Sequence, residues 1–205
     1  MEKYFRYVSV PDNSINKEEF NAKILAGAEY LACGSVYWPG FWSHHSNVFT
    51  NELRDWLEKF NCEILRAETF KIYPNTALAW HNDTNDNPLM ADLDPHETTK
   101  LNFTWGNVDK CTMEYGHLQN HPIGITIVKN TRGRMTNLYD PAQMVVDEEF
   151  TLSKPVLINR GPTHRLVNHS DQDCFCLSCI LIDSTTKLHL TFIEAIERFN
   201  SVCVS

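Results

Sequence analysis

The stretch Glu63-Ile-Leu-Arg-Ala-Glu-Thr-Phe-Lys-Ile-Tyr73-Pro74-Asn75-Thr-Ala-Leu-Ala-Trp-His81-Asn82-Asp83 decides how this chain is read. Glu63 to Tyr73 has the make-up of a long strand, and Pro74-Asn75 closes it with a turn. The His-x-Asp triplet follows. Residues i and i+2 of an extended segment point the same way, so His81 and Asp83 can reach one ion. Two imidazoles and one carboxylate on one face of an octahedral Fe(II) leave three positions for a co-substrate and O2. The second imidazole must arrive on another strand, and His164 is suitably remote in sequence. Taken alone the triplet is weak, because nine histidines and 26 acidic residues allow chance matches and Asp83-Thr84-Asn85-Asp86 also reads as turns.

Outward from this stretch, further strands are expected at Thr99–Trp105, Ile123–Val128, Met135–Tyr139, Pro155–Asn159, Arg165–Asn168 and Cys174–Ile182. Before it, Tyr4–Val10 reads as a strand. A helix then starts at an Asn16 cap with Glu19 three residues on, carries Phe20, Ile24, Ala28 and Leu31 on one face, and stops at Gly34. Tyr37–Trp42 reads as an aromatic loop that packs in the core. Thr50 caps a second helix with Leu53, Trp56, Leu57 and Phe60 inward, and a last helix runs from about Thr191 to Phe199. Many short strands framed by helices predict an all-β core with flanking helices, a double-stranded β-helix or cupin-like jelly roll. The expected organisation is one domain over 1–205, with 1–61 as N-terminal support, 62–182 as the jelly-roll core and 183–205 as the C-terminal helix. Asn85 to Thr98 is a long polar stretch directly after the triplet. It reads either as a solvated loop or as a lid whose Asp92, Asp94 and Glu97 select polar or cationic substrates.

Composition narrows the function classes. Apolar content of 42% is enough for a core, and a formal charge of −8 with no Lys/Arg-rich run argues against a nucleic-acid partner. No apolar run approaches the ~20 residues of a membrane span, and Met1-Glu2-Lys3-Tyr4 opens no signal peptide. Seven cysteines, three crowded into Cys174–Cys179, make a poor disulfide framework, and buried strand thiols in a reducing cytoplasm are the expectation. Cys174 and Cys176 should share one strand face and Cys179 the other, which disfavours a zinc or Fe–S cluster. His44-His45 reads as a surface pair. The expected partner is a small-molecule or peptide substrate.

Three blocks carry a family resemblance. The run Glu68–Asp83, the run Lys100-Leu101-Asn102-Phe103-Thr104-Trp105-Gly106, and the pair Pro155–Asn159 and His164–Ser170 resemble, in that order, the iron-binding strands of the 2-oxoglutarate- and Fe(II)-dependent dioxygenases. The similarity is greatest to the aspartyl/asparaginyl β-hydroxylase-like branch, of a kind common in phage and marine bacterial genomes. It spans roughly 62–182 and leaves the N-terminal third uncovered. The resemblance implies a double-stranded β-helix in which His81, Asp83 and His164 hold Fe(II). It also implies that decarboxylation of 2-oxoglutarate, with O2, is coupled to hydroxylation of an amino-acid or peptide side chain. His164 is preferred over His169 as distal ligand because the family places that histidine shortly after a proline turn, with Asn168 then at the right offset. Asn102, Asn168 and Ser178 become candidates for supporting hydrogen bonds around the metal and co-substrate.

One position departs from the pattern. Where the family carries an arginine for the distal carboxylate of 2-oxoglutarate, this chain has Cys174, and a neutral thiol cannot make that charge-assisted contact. Lys100 is the first substitute. Arg165 is second, since as the neighbour of His164 it should face away. The alternatives are a different co-substrate, or a non-catalytic jelly roll that binds metal or a small ligand and has lost 2-oxoglutarate. A zinc hydrolase on the same ligands is disfavoured by the lack of an adjacent general base. A Lys100 side chain turned into the cavity would favour the oxygenase.

Overall fold

In the computed structural model, the described residues are 4–27, 29–33, 36–44, 46–83, 99–119, 125–129 and 135–204, with the side chains of 29–41, 46, 83, 127–129 and 135–136 left outside the description. The chain forms two antiparallel sheets packed face to face, with three helices on the outside of one of them. The first sheet contains β1 (Phe5–Tyr7), β2 (Glu29–Cys33), β3 (Val36–His44), β4 (Cys62–Ile72), β7 (Thr99–Gly106), β12 (Val156–Asn159) and β14 (Cys174–Asp183), in the order β1-β12-β7-β14-β4-β3-β2. The second runs β11-β8-β13-β6-β10-β9, built from β6 (His81–Asp83), β8 (Cys111–Leu118), β9 (Ile125–Lys129), β10 (Met135–Tyr139), β11 (Met144–Thr151) and β13 (His164–Asn168), with the short β5 (Thr76–Ala77) beside β13. This is a jelly roll with few helices.

Strand alternation fixes two cores. Leu177, Cys179 and Leu181 of β14 face outward with Leu101 and Phe103 of β7. They pack under α1 (Lys17–Leu25), α2 (Asn51–Glu58) and α3 (Phe192–Phe199), against Phe20, Leu53, Trp56, Leu57, Phe192 and Phe199. Cys174 and Cys176 of the same β14 face inward and meet Ile72, Val156 and Ile158 across from Met113, Tyr115 and Leu166 of the second sheet. Burial on both faces explains why β14 reads as an almost continuous apolar run. Each large side chain buried here contributes about 2 kcal/mol of hydrophobic free energy.

Helix ends follow the caps. Asn16 accepts from Glu19 N, Thr50 from Leu53 N, and Thr191 forms a reciprocal capping box with Glu194. The first helix is shorter than its apolar stripe suggests. It ends at Leu25, because Gly27 takes φ +102°, and Leu31 lies instead in β2. Tyr37–Trp42 is not a loop either. It belongs to β3, which pairs with β4 through Phe41↔Phe70 and Trp42↔Thr69. The register against β2 shifts opposite Pro39-Gly40, and such a bulge tolerates a proline that cannot donate to the ladder. The 1–61 region thus supplies strands to both edges of the first sheet as well as two helices. Within β3, His44 is buried rather than part of a surface pair, with Nε2 2.6 Å from Thr69 Oγ1 and its ring stacked on Phe20.

Candidate metal centre

The loop from β12 to β13, Asn159-Arg160-Gly161-Pro162-Thr163, delivers His164 to one end of the roll. There His164 is in register with His81 on one side and Tyr115 on the other. The two imidazole centres are 4.6 Å apart with their planes at 52°. His81 Nδ1 donates to Ala79 O at 2.9 Å and His164 Nδ1 donates to Pro162 O at 2.8 Å, in each case to a carbonyl two residues upstream. A carbonyl only accepts, so both protons sit on Nδ1 and both Nε2 atoms carry the lone pair in the neutral rings. His164 is 3% exposed and is walled in by Tyr115, whose hydroxyl lies 2.8 Å from Asn159 O and 3.1 Å from Tyr4 O and whose ring stacks on Tyr4. Asp83 stands two positions along β6 from His81, opposite Thr136 of β10, and its side chain lies outside the described residues.

The first sheet turns a polar strip into the interior between the sheets. Leu101 and Phe103 belong to the helix-side core, so Lys100 and Asn102 face the interior between the sheets. Asn102 is in register with Ser178, and Ser178 Oγ donates to Asn102 Oδ1 at 2.6 Å. Lys100 is 7% exposed, lies between Ile158 and Ile180 in the ladder, and its charge reaches the Cys176 thiol. Burial outweighs that charge and pushes the Cys176 thiol up to about 12.

The remaining sequence candidates lie elsewhere. Asn168 is at the opposite end of β13. Its amide donates to Ile72 O and Gln172 O and its carbonyl accepts from Ser170 N and Oγ, so its polar atoms hold the turn that follows. Arg165 faces outward, with Nε 2.7 Å from Glu114 Oε2 and its guanidinium over Trp80. Cys174 is also at the far end, where it forms a disulfide with Cys111 that joins the two sheets. That corrects the expectation of a buried thiol for Cys174, whereas Cys62, Cys176, Cys179 and Cys203 are free. The stretch Asn85–Thr98, with its acidic residues, lies outside the described residues.

A second group of possible ligands occupies the outer face of the second sheet. One ligand atom each from Glu114, Glu149 and His169 falls within 4.8 Å of the others. His169, the rival distal histidine, is therefore not beside His81. Its ring is half exposed and Nε2 lies 3.2 Å from Thr112 Oγ1 and 3.6 Å from Glu149 Oε1. Glu114 already carries Arg165, a cation that opposes a metal there.

No protein-family model matches the sequence, and no curated protein matches it. Solved structures resemble it at a distance. An oxidoreductase of the 2OG-Fe(II) oxygenase family from Burkholderia pseudomallei is similar over 62% of this chain and 47% of that chain, with 12% identity and a TM-score of 0.33. EvdMO1 is similar over 87% of this chain and 47% of that one, with 12% identity and a TM-score of 0.48. A variant of Bacillus subtilis oxalate decarboxylase is similar over 82% and 30%, with 7% identity and a TM-score of 0.35. The chain spans less than half the length of each of these proteins. The likeness is one of strand arrangement and brings no residue-level correspondence.

Imidazoles bound side by side to one ion through nitrogens at about 2.1 Å have ring centres roughly 4.5 Å apart, so the spacing of His81 and His164 fits a shared metal. Two groups at this end escaped the sequence reading: Tyr115, in register with His164, and Arg160, in the turn that delivers it. Tyr115 had a signal, because Cys111, Met113 and Tyr115 alternate with Thr112, Glu114 and Gly116 and mark β8 as a half-buried strand. Arg160 sits among turn residues and carried none.

Proposed function

We propose that this chain is an Fe(II)-dependent dioxygenase that couples decarboxylation of 2-oxoglutarate to hydroxylation of an amino-acid or peptide side chain. The observation that carries the proposal is the His81–His164 pair, with both Nδ1 protons committed to backbone carbonyls and both lone pairs on Nε2. The same pattern orients metal-binding histidines generally. Asp83 completes the ligand set on the proposed reading. Bound iron would supply O2 activation, with one oxygen atom passing to the substrate and the other to the carboxylate formed from the keto acid. The chain's own residues bind and orient. Lys100 takes the distal carboxylate that an arginine would otherwise hold, and the Ser178–Asn102 hydrogen bond fixes the polar wall beside it. Tyr115, tied to Asn159 O and Tyr4 O, keeps the His164 ring in place. The aspartyl/asparaginyl β-hydroxylase-like assignment belongs to this proposal and rests on the three sequence blocks.

The alternative, a jelly roll that binds metal without oxygenase turnover, draws on Cys174, whose disulfide removes it from any part in binding a keto acid. Anaerobic titration of the Fe(II)-loaded protein with 2-oxoglutarate separates the two. A visible charge-transfer band that depends on the keto acid and disappears in Asp83→Ala supports the dioxygenase. Iron bound with no such band sinks the 2-oxoglutarate reading, and failure to bind iron sinks the site.

A further inference from the structure

The rung that holds the histidine pair continues across two more strands. His81 is in register with His164, His164 with Tyr115, and Tyr115 with Glu148 of β11. Side chains directly opposite each other in an antiparallel ladder project from the same face. Phe150, one strand repeat beyond Glu148, is buried in the inner core with Tyr115. Glu148 therefore turns toward the inside of the roll, two strand spacings or roughly 10 Å from His164 between backbones. A bulge in β11 sets this up. The register skips Asp147, and without the skip Glu148 would fall opposite Glu114 on the outer face.

A cavity of about 700 Å³ lies beside this rung, with Tyr4, His117, Asp147, Glu148, Pro162 and Thr163 in its lining. It adjoins the histidine pair through Thr163, which precedes His164, and through Tyr4, whose ring stacks on Tyr115. Its charge is one-sided. Among the described residues that line it are two carboxylates and no lysine or arginine. Asp147 is engaged, its Oδ1 accepting from His117 Nδ1 at 2.8 Å. The half-buried Glu148 carboxylate makes no hydrogen bond or ion pair with any described residue. In a partly desolvated cavity such a carboxylate attracts a cation more strongly than it would in bulk water.

We infer that Glu148 determines the substrate class of the proposed dioxygenase, and that the cavity takes a protonated amine or a guanidinium, as on a lysine- or arginine-like side chain. The inference rests on the proposed function in placing the reacting carbon at the histidine pair. Side chains of this kind carry their charge several bonds from the backbone. A cation held on Glu148 therefore leaves part of the substrate free to extend along the rung toward His164. A guanidinium pairs with both carboxylate oxygens at once, and an ammonium acts as a point charge. Binding of the cation itself requires no iron.

The test titrates the full chain, without added metal, with three blocked amino acids and reads the heat of binding. The probes are Nα-acetyl-lysine amide, Nα-acetyl-arginine amide and the uncharged Nα-acetyl-norleucine amide. Saturable binding of at least one cationic probe is expected, tighter than the norleucine probe by about tenfold or more, as for a charge-assisted contact. Glu148→Gln keeps the size of the side chain and should abolish that preference, a change that a merely structural role would not produce. Asp147→Asn should weaken cation binding less, because His117 already holds that carboxylate, and Glu149→Gln in the outer-face group should have no effect. Circular dichroism of each variant separates lost binding from lost folding. No binding of either cationic probe, equal affinity for norleucine, or a cation preference that survives Glu148→Gln would overturn the inference. So would a larger loss in Asp147→Asn than in Glu148→Gln. The iron–keto acid band should persist in Glu148→Gln, and its loss there would overturn the inference by placing Glu148 at the metal or the co-substrate. A missing band in the unsubstituted protein, with the cation preference intact, would overturn the dioxygenase and leave the cation subsite standing.

Discussion

His81 and His164 stand opposite each other across β6 and β13, and each donates its Nδ1 proton to the carbonyl two residues before it. Neither ring needs to change tautomer to bind a metal through Nε2. Substituting either histidine with alanine is expected to lower affinity for Co(II), a spectroscopic stand-in for Fe(II), by more than about 100-fold, beyond the 10–100-fold typical of supporting residues. Glu149→Ala should leave it unchanged, because Glu149 belongs to the outer-face group. Equal losses in both sets of variants would mean that the outer group is the metal centre.

The part of this arrangement that was legible in the sequence is the part encoded by local period. β4, its proline turn and the strands around Lys100, His164 and Cys174 read correctly because alternation of two fixes which side chains share a face. The same rule put Lys100 with Asn102 and turned Arg165 outward. Long-range pairing was not legible. β3 contains Pro39-Gly40, local breakers that a bulge against β2 accommodates, and β11 hides behind Asp147-Glu148-Glu149, charges suited to a sheet edge. Asn168 looks the same in sequence whether it serves the metal end of β13 or the turn at its other end. The Cys111–Cys174 partnership joins strands 63 residues apart, and connectivity among seven cysteines cannot be deduced from spacing.

Lys100 offers a test of the co-substrate anchor. Methionine has a similar length and keeps the buried volume filled. Lys100→Met, with folding checked by circular dichroism, should keep metal affinity while raising the 2-oxoglutarate concentration needed for half-saturation by about 10- to 100-fold. An unchanged requirement would remove Lys100 from the site.

The disulfide between Cys111 and Cys174 closes a loop of 63 residues and joins the two sheets at the end away from the histidines. Loop-closure entropy alone gives about 4 kcal/mol for such a length, and measured values cluster at about 2–4 kcal/mol. Reduction, or the Cys111→Ser/Cys174→Ser variant, should lower unfolding stability by that order. Non-reducing peptide mapping should recover the cross-linked pair. Among the free thiols, burial pushes Cys62 up to about 11 and Cys176 up to about 12, so alkylation of the folded protein at pH 8 should leave both unmodified. Rapid labelling of Cys176 would contradict its placement in the inner core.

Asp183 ties the end of β14 to α3, and its effect on stability has a definite sign. Its carboxylate accepts from Thr186 N and Thr185 N and lies 2.8 Å from Arg198 Nη2, while Arg198 Nη1 donates to Asn61 O. The Thr186 backbone hydrogen bond first, and then Arg198, hold the Asp183 carboxyl well below the ordinary carboxylate range. An unfolded aspartate titrates near about 3.9. The folded state therefore prefers the ionised form, and this contribution is complete above about pH 4 and is lost as pH falls through the lower folded value. Denaturation of the unsubstituted protein and of Asp183→Asn from pH 7 down to pH 2 should give a stability gap that is flat at the upper end and narrows below about pH 4. A gap that stays constant over the whole range would mean that Asp183 acts through the shape of its turn and not through its charge.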